Sequence, residues 1–375
     1  MRVNRFLTAL VAAGAVATFH GQPLAAIEGL ETPASALRVD LDRLLSEHVF
    51  LTVQAMHAGL VDDDLFAAAA EALEANTGDL EAAIGSVYGE EGRRRFGDLW
   101  RQHIGYVVDY TRARAADDEE AEQRARDGMT AYQADFASFI AGANPNLTEE
   151  AVHHLLDDHL EQLRQVADLQ SGDFEAVYDA ARVSYAHMVD LGDGLSRAIV
   201  DQFPDVFSGA NIAFGPALDL RIALDHLLGE HAFLAIEVMR QAGTGDGADL
   251  AASEALASNG ESLESAIADI YGDEAGRAFA ELWEQHNGYY IDFVRALLTG
   301  DEVAQDRAHD GLTGFSQQAA DFFASASELI SAEAVRSGLD AAPAPTQPHD
   351  CRGRCQATHA PTATRFMTHL SLRCL

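Results

Sequence analysis

Leu44-Leu-Ser-Glu-His48 recurs 183 residues later as Leu227-Leu-Gly-Glu-His231, with the histidine in the same place. Residues 38–157 align with residues 221–340 without a gap. A repeat of this length is typical of two copies of one domain and is far longer than the repeating unit of a solenoid. The sequence therefore predicts two tandem domains that share one architecture.

The apolar residues within each copy recur with a helical period. Leu37, Leu41, Leu44, His48 and Leu51 follow one another at steps of three or four residues, which places them on one face of a helix. No run of the chain alternates between apolar and polar residues as a half-buried strand does. The predicted fold class is all-α.

A shorter frame repeats inside the first copy. His48, His103 and His159 are 55 and 56 residues apart, and each ends the pattern Leu-[Leu/Trp]-x-[Glu/Gln/Asp]-His. Each histidine is followed, after about four helical turns, by an acidic or glycine-containing turn. This spacing predicts αα-hairpins, three in a complete copy.

Helix ends are marked by residues with known terminal preferences. Gly89 and Gly272 follow Tyr88 and Tyr271 and are placed to end helices. Asn146, with Glu149 three residues later, is placed to cap the helix that carries His159.

These patterns predict the domain boundaries. A complete six-helix domain spans 34–204, a linker spans 205–216, and a second helical-bundle domain spans 217–342. The second copy stops matching at Ala342, which stands where the first copy has His159. We therefore expect the second domain to lack its last hairpin.

The two ends of the chain differ from the repeats. Residues 1–26 have early arginines, an apolar run and small residues near Ala25, which is typical of a secretory signal peptide. No later stretch approaches the twenty apolar residues of a membrane span, so the predicted location is secreted, periplasmic or at the cell envelope. Residues 343–375 are rich in proline and arginine and contain all three cysteines, which predicts a disordered or aberrant basic tail.

The charge of the chain excludes some classes of partner. The formal net charge is −35, and all 25 basic residues are arginine. Such a surface repels nucleic acid and anionic lipid, so neither is an expected partner. The acidity itself is compatible with adaptation to high salt or with the solubility of a secreted protein.

Hairpin geometry predicts a polar layer in the first domain. Residues equally far before and after a turn lie at the same height, because both helices rise by about 1.5 Å per residue. This rule pairs His48 with Asn76, and His103 with Tyr132 or Gln133, and it pairs His159 with His187. The corresponding layer of the second copy holds His231, Asn259, His286 and Phe315.

Four histidines of the layer are the candidate metal ligands: His48, His103, His159 and His187. Imidazole-rich sites suit copper or zinc, and haem held between facing helices is the next hypothesis. Glu47, Gln102 and Asp158 are candidates to orient the rings. These four side chains can bind one ion only if the helices form a closed bundle. In an open stack adjacent helices lie about 8–10 Å apart, and successive histidines cannot share an ion.

The competing hypothesis is an extracellular or cell-envelope interaction module whose histidines are core residues, hydrogen-bonded to Asn76, Tyr185 or a carboxylate. The sequence has no serine nucleophile elbow, phosphate-binding glycine loop or His-Glu-x-x-His motif. Glu150-x-x-His153 has the spacing of a di-iron ligand pair but has no counterpart in the second copy. A non-enzymatic binder of a metal ion or small ligand is therefore favoured, with no protein partner identified.

The frame Leu-Leu-x-Glu-His, the run Leu99-Trp-Arg-Gln-His-Ile-Gly-Tyr-Val-Val-Asp109 and the segment Tyr185-Ala-His-Met188 resemble those of uncharacterised secreted, all-helical bacterial tandem-repeat proteins. Some members of that group carry segments similar to the N-terminal region of copper amine oxidases. The resemblance covers residues 34–342 and implies export and a helical repeat. It implies no copper oxidase chemistry, because this chain has no amine oxidase motif.

Overall fold

The protein is described from a computed structural model, which places residues 30–61, 63–170, 174–241, 248–328 and 330–340. Most of these residues are helical, and no strand occurs among them, so the all-α prediction is confirmed. The predicted signal peptide, the turn at 171–173 and the tail at 343–375 lie outside the described residues. Contacts divide the chain into two compact units, with the boundary between Ile222 and Ala223.

The first unit contains five long helices and one short helix among its described residues. In chain order these are α1 Pro33–Val61, α2 Asp63–Ala115, α3 Glu119–Ala143, α4 Glu149–Leu169, α5 Phe174–Gln202 and α6 Ala210–Ala213. Gly89 divides α2 into two arms, because its φ of 74° and ψ of −175° interrupt the helix. That backbone conformation is accessible almost only to glycine. The two arms and the other long helices occupy the six stretches where helices were expected.

Side-chain caps fix the starts of two helices in this unit. Asp118 accepts a hydrogen bond from the backbone N–H of Ala121 at the start of α3. Thr148 accepts one from Ala151 at the start of α4, so the expectation that Asn146 caps this helix was wrong. The side chain of Asn146 instead donates to the Ala198 carbonyl at 3.1 Å and ties the turn to α5.

The long helices of the first unit form a closed bundle. Helix α1 packs against α2, α4 and α5, and α3 packs against both α2 and α4. The first and last long helices are therefore neighbours, which excludes the open stack. The largest fully buried side chains of this core include Phe50, Tyr110 and Tyr132.

The segment predicted as a linker is attached to the first unit. Helix α6 lies within it, and the buried Arg38 donates hydrogen bonds to the Ala213 carbonyl at 2.7 Å and to Asp219 at 2.6 Å. Arg38 also pairs with Asp193 of α5. Phe214 lies under the guanidinium groups of Arg38 and Arg197.

The second unit is described up to residue 340. Helix α7 Pro216–Gln241 crosses the boundary, and α8 Ala248–Tyr271, α9 Asp273–Thr299, α10 Glu302–Ala326 and α11 Ala332–Asp340 follow. Gly272, with φ of 92° and ψ of 163°, separates α8 from α9 as Gly89 separates the arms of α2. The predicted domain boundaries and the missing last hairpin stay predictions, since Ala342 lies beyond the described residues.

No helix in the described ranges combines the length and the apolar character that a membrane crossing needs.

Candidate metal centre

Three helices of the first unit each bring one histidine to the same place in the core. His48 comes from α1, His103 from the second arm of α2, and His159 from α4. Their exposed fractions are 0, 1 and 1%, because the apolar frame that precedes each of them faces the bundle interior. We refer to these residues as the histidine triad.

The nitrogen atoms of the histidine triad converge. Nε2 of His48 lies 3.2 Å from Nε2 of His103. One ring nitrogen from each of the three residues lies within 4.8 Å of the others. Among the described residues, no other group of three histidine, cysteine or acidic side chains meets in this way. The closed bundle therefore brings together three of the four predicted ligands.

Hydrogen bonds leave much of the histidine triad unsatisfied. The hydroxyl of Thr52 lies 3.5 Å from Nε2 of His48, but it donates its proton to the His48 carbonyl at 2.8 Å. Neither ring nitrogen of His159, nor Nδ1 of His48, has a hydrogen-bond partner among the residues that the structure describes. A buried polar group without a partner costs about 1–3 kcal/mol, so these atoms need an explanation.

Aromatic rings enclose the histidine triad. The Trp100 ring centroid lies 4.8 Å from that of His48 and 4.6 Å from that of His103. Tyr132 stacks on His103 at 4.9 Å, as its predicted place in the layer requires. Phe96 stacks on Trp100, with the ring centroids 5.1 Å apart. Because of these contacts, the imidazoles lie in an environment of low polarity.

Burial keeps the imidazoles in their neutral form. Desolvation lowers the pKa of His103 to about 3, although the Trp100 carbonyl acts in the opposite direction. The pKa values of His48 and His159 are also well below the usual range, because burial and the neighbouring histidines disfavour a positive charge. Metal binding requires neutral imidazole, so no proton has to be removed near neutral pH.

The fourth predicted ligand, His187, lies beside the histidine triad but is not one of its members. Its ring is half-buried, and Nε2 donates a hydrogen bond to the Leu155 carbonyl at 3.1 Å, because a carbonyl oxygen can only accept. That carbonyl also accepts the helical hydrogen bond of the His159 N–H, which places His187 within about 6 Å of the His159 backbone nitrogen. Its role as a ligand stays a prediction.

The side chains predicted to orient the rings have other surroundings. Gln102 and Asp158 are exposed, so the expectation that they orient buried imidazoles was wrong. Adjacent helical residues lie about 100° apart, and a residue beside a buried histidine can therefore face solvent. Glu47 is buried, but its carboxylate accepts a hydrogen bond from Asn76 at 3.2 Å. His153 lies near the surface, with its Nδ1 3.2 Å from Asp157.

The sequence analysis missed Thr52 as a neighbour of the histidine triad. It follows His48 by four residues and so shares its helical face, a signal that the sequence offered. Asn76 was expected level with His48, but it donates to the Leu44 carbonyl at 2.9 Å, one turn earlier. It therefore fixes α1 against α2 and makes no contact that would orient the His48 ring.

The second unit contains two histidines in matching surroundings, His231 and His286, which we call the histidine pair. Their ring centroids are 5.7 Å apart, and Trp283 lies 4.6 Å from His231. Phe315 stacks on His286 at 3.9 Å, in the place that Tyr132 takes beside His103. Burial lowers the pKa of His231 to about 4, and it lowers the pKa of His286 well below the usual range.

No family model, curated protein or solved structure matches this chain. The resemblance to secreted helical repeat proteins therefore stays an expectation from the sequence. The histidine triad, and its difference from the histidine pair, are the features of the molecule that bear on its function.

Proposed function

We propose that the first unit binds one transition-metal ion, copper or zinc, through His48, His103 and His159. One observation carries the proposal: His159 is fully buried and has no hydrogen-bond partner among the described residues, yet it lies beside two imidazoles whose Nε2 atoms are 3.2 Å apart. A shared ion gives one nitrogen of each ring a partner, including one of the two unsatisfied nitrogens of His159, and so removes part of that cost.

The distances support a single ion. With metal–nitrogen bonds of about 2.0 Å, two ligands of a tetrahedral ion lie about 3.3 Å apart, and two ligands of a trigonal ion lie about 3.5 Å apart. The separation of 3.2 Å between Nε2 of His48 and Nε2 of His103 is close to both values. The third nitrogen lies within 4.8 Å of the other two, so one ion can bind all three once the rings move to the bonding distance.

Haem fits the site less well than an ion. The His48 and His103 ring centroids are 5.1 Å apart, and Trp100 packs against both rings. A macrocycle between two axial histidines would have to displace these contacts. Copper and zinc both accept imidazole nitrogen and need only the space between the rings.

The burial of the three histidines favours a role in binding the ion over a role in catalysis. The ligands are 0–1% exposed, and catalytic metal sites keep a position open for water or substrate. The N-terminal segment, if it directs export, places the bound ion outside the cytoplasm, and that location is part of the proposal.

The second candidate is an interaction module in which the histidines serve only as core residues. The histidine pair favours it, because His231 and His286 pack against Trp283 in the same way, and among the described residues no third histidine brings a ring nitrogen to them. In this reading His48 and His103 share an N–H···N hydrogen bond at 3.2 Å. An interaction module of this kind leaves both ring nitrogens of His159 without a hydrogen-bond partner among the described residues.

Metal content of the purified full chain tests the proposal. The protein is incubated with copper or zinc, freed of loose metal and analysed, beside the variants His159→Leu and His231→Leu. We expect about one ion per chain in the wild type and in His231→Leu, and none in His159→Leu. Equal content in the two variants would show that the ion lies elsewhere.

Stability of the metal-free variants separates the two candidates. His159→Leu removes two unsatisfied nitrogens, so its free energy of unfolding should rise by about 1–3 kcal/mol while binding is lost. If His159 is instead a core residue that needs its hydrogen-bond partner, the free energy of unfolding of His159→Leu should fall by a similar amount. Chemical denaturation in the presence of a chelator gives the sign of the change.

A further inference from the structure

The charge around the histidine triad bears on which ion it holds. The three potential ligands are neutral imidazoles, and no carboxylate belongs to the group among the described residues. The enclosing side chains with ring contacts to the triad, Trp100 and Tyr132, are also uncharged. The described residues therefore supply no carboxylate that joins the three imidazoles at the ion.

Glu47 is the buried carboxylate closest to the histidine triad along the chain, and its charge is already compensated. It accepts a hydrogen bond from Asn76 at 3.2 Å, and the Arg43 guanidinium lies 3.7 Å from the same oxygen. These contacts hold the carboxylate between α1 and α2. The carboxylate is not a member of the group of ligand atoms that the three imidazoles form.

The cost of burying an ion rises steeply with its charge. The desolvation energy of an ion scales with the square of the charge, so a dication costs about four times as much as a monocation of the same size. Zinc bound by three histidines commonly offsets this cost with a water or hydroxide at an open position. Exposed fractions of 0–1% and the packed aromatic rings oppose that solution here.

We infer that the ion bound by His48, His103 and His159 is copper in its monovalent state, Cu(I). This inference rests on the proposed function and adds the charge and coordination of the ion. Three neutral nitrogens make a trigonal site that needs no fourth ligand and no anion. The bound centre then carries a single positive charge, which the apolar core tolerates better than two.

A competition between ions tests the inference on the full chain. The protein is loaded without oxygen with Cu(I) held in a chromophoric chelator, and then challenged with a tenfold excess of Zn(II). We expect Cu(I) to be retained, and Cu(II), titrated separately, to bind at least about 100-fold more weakly than Cu(I). Displacement by Zn(II), or equal binding of Cu(II), would overturn the inference and leave the proposed function standing. Failure to bind any of the three ions would instead defeat the proposed function.

Two variants at one position isolate the effect of charge. His159→Asp adds a carboxylate to the site, and His159→Asn is its neutral control of nearly the same shape. We expect the ratio of Zn(II) to Cu(I) affinity to be at least about tenfold higher in His159→Asp than in His159→Asn. Equal ratios would contradict the charge argument. If either variant fails to fold by circular dichroism, the competition on the wild type still decides.

Discussion

The histidine triad and the histidine pair differ by one residue in otherwise similar surroundings. Asn76 donates to the Leu44 carbonyl at 2.9 Å in the first unit, and Asn259 donates to the Leu227 carbonyl at 2.9 Å in the second. Each unit places a tryptophan beside its histidines. In the second unit Nδ1 of His231 and Nδ1 of His286 also lack a hydrogen-bond partner among the described residues, whereas His159 lacks one at both nitrogens. The third histidine is therefore the feature that calls for an ion.

The largest expected difference between the units is stabilisation by metal. An ion that binds only the folded state at about 1,000 times its dissociation constant raises the free energy of unfolding by about 4 kcal/mol. Trp100 and Trp283 are the only tryptophans and report on the first and second units separately. Copper should therefore shift the unfolding transition of the Trp283→Phe variant and leave that of Trp100→Phe unchanged. A shift in both would place an ion in each unit.

Acid should weaken both units through their buried histidines. The unfolded pKa is about 6.5, while His231 has a folded pKa of about 4 and that of His159 is well below its usual range. Below pH 6.5 the unfolded chain gains protons that the folded chain cannot accept, so stability is present above that pH and is lost as the pH falls. Each group contributes about 1.4 kcal/mol per pH unit in this window.

The matched variants measure this acid effect one histidine at a time. In metal-free protein, His159→Leu should flatten the pH dependence of the first unit by about 1.4 kcal/mol per pH unit, and His231→Leu should do the same for the second. Denaturation between pH 6.5 and pH 4.5 gives both slopes. An unchanged slope in His159→Leu would mean that His159 is charged in the folded protein.

Gly89 and Gly272 should be equally sensitive to substitution. Both have positive φ with an extended ψ, a conformation that costs other residues about 1–3 kcal/mol. Gly89→Ala and Gly272→Ala should therefore destabilise their own units by similar amounts in thermal unfolding. A large difference would show that the two helix breaks are held in different ways.

The smallest expected effect concerns a tyrosine of the first unit that the second copy replaces with phenylalanine. The Tyr110 hydroxyl donates to Asp168 at 2.6 Å and accepts a hydrogen bond from Arg126 at 2.9 Å. The second copy has Phe293 at the matching position, which is buried. Tyr110→Phe should cost the first unit about 1 kcal/mol in denaturant unfolding. Phe293→Tyr, the control, adds a hydroxyl without this partner and should not stabilise the second unit.

The sequence was sufficient to predict the all-α fold and most of the candidate site. His48, His103 and His159 each end the same five-residue pattern, and they follow one another at nearly equal intervals along the chain. Because each interval spans one αα-hairpin, the three histidines lie at the same height in the bundle. The same rule placed Tyr132 beside His103. These predictions succeeded because helical rise and period depend on local backbone geometry and little on tertiary packing.

The features of the fold and the site that could not be predicted from the sequence depend on packing between segments that are far apart in the chain. Whether the hairpins close into a bundle is decided by contacts between α1 and α5, far apart in the chain. The pairing of Arg38 with Asp193 and Asp219 has no local signal either. The bond from His187 to the Leu155 carbonyl depends on the rotation of α5 against α4, which hairpin height does not determine.

X-ray absorption on the copper-loaded full chain tests the central claim most directly, because it counts the ligands of the bound ion. The account predicts one ion per chain, with three nitrogen neighbours at about 2.0 Å and imidazole scattering from each. Four imidazoles would add His187 to the site and keep the claim of a shared ion. Two results would contradict a site formed by His48, His103 and His159. One is an ion coordinated by oxygen atoms, and the other is two ions per chain that each have two imidazole ligands.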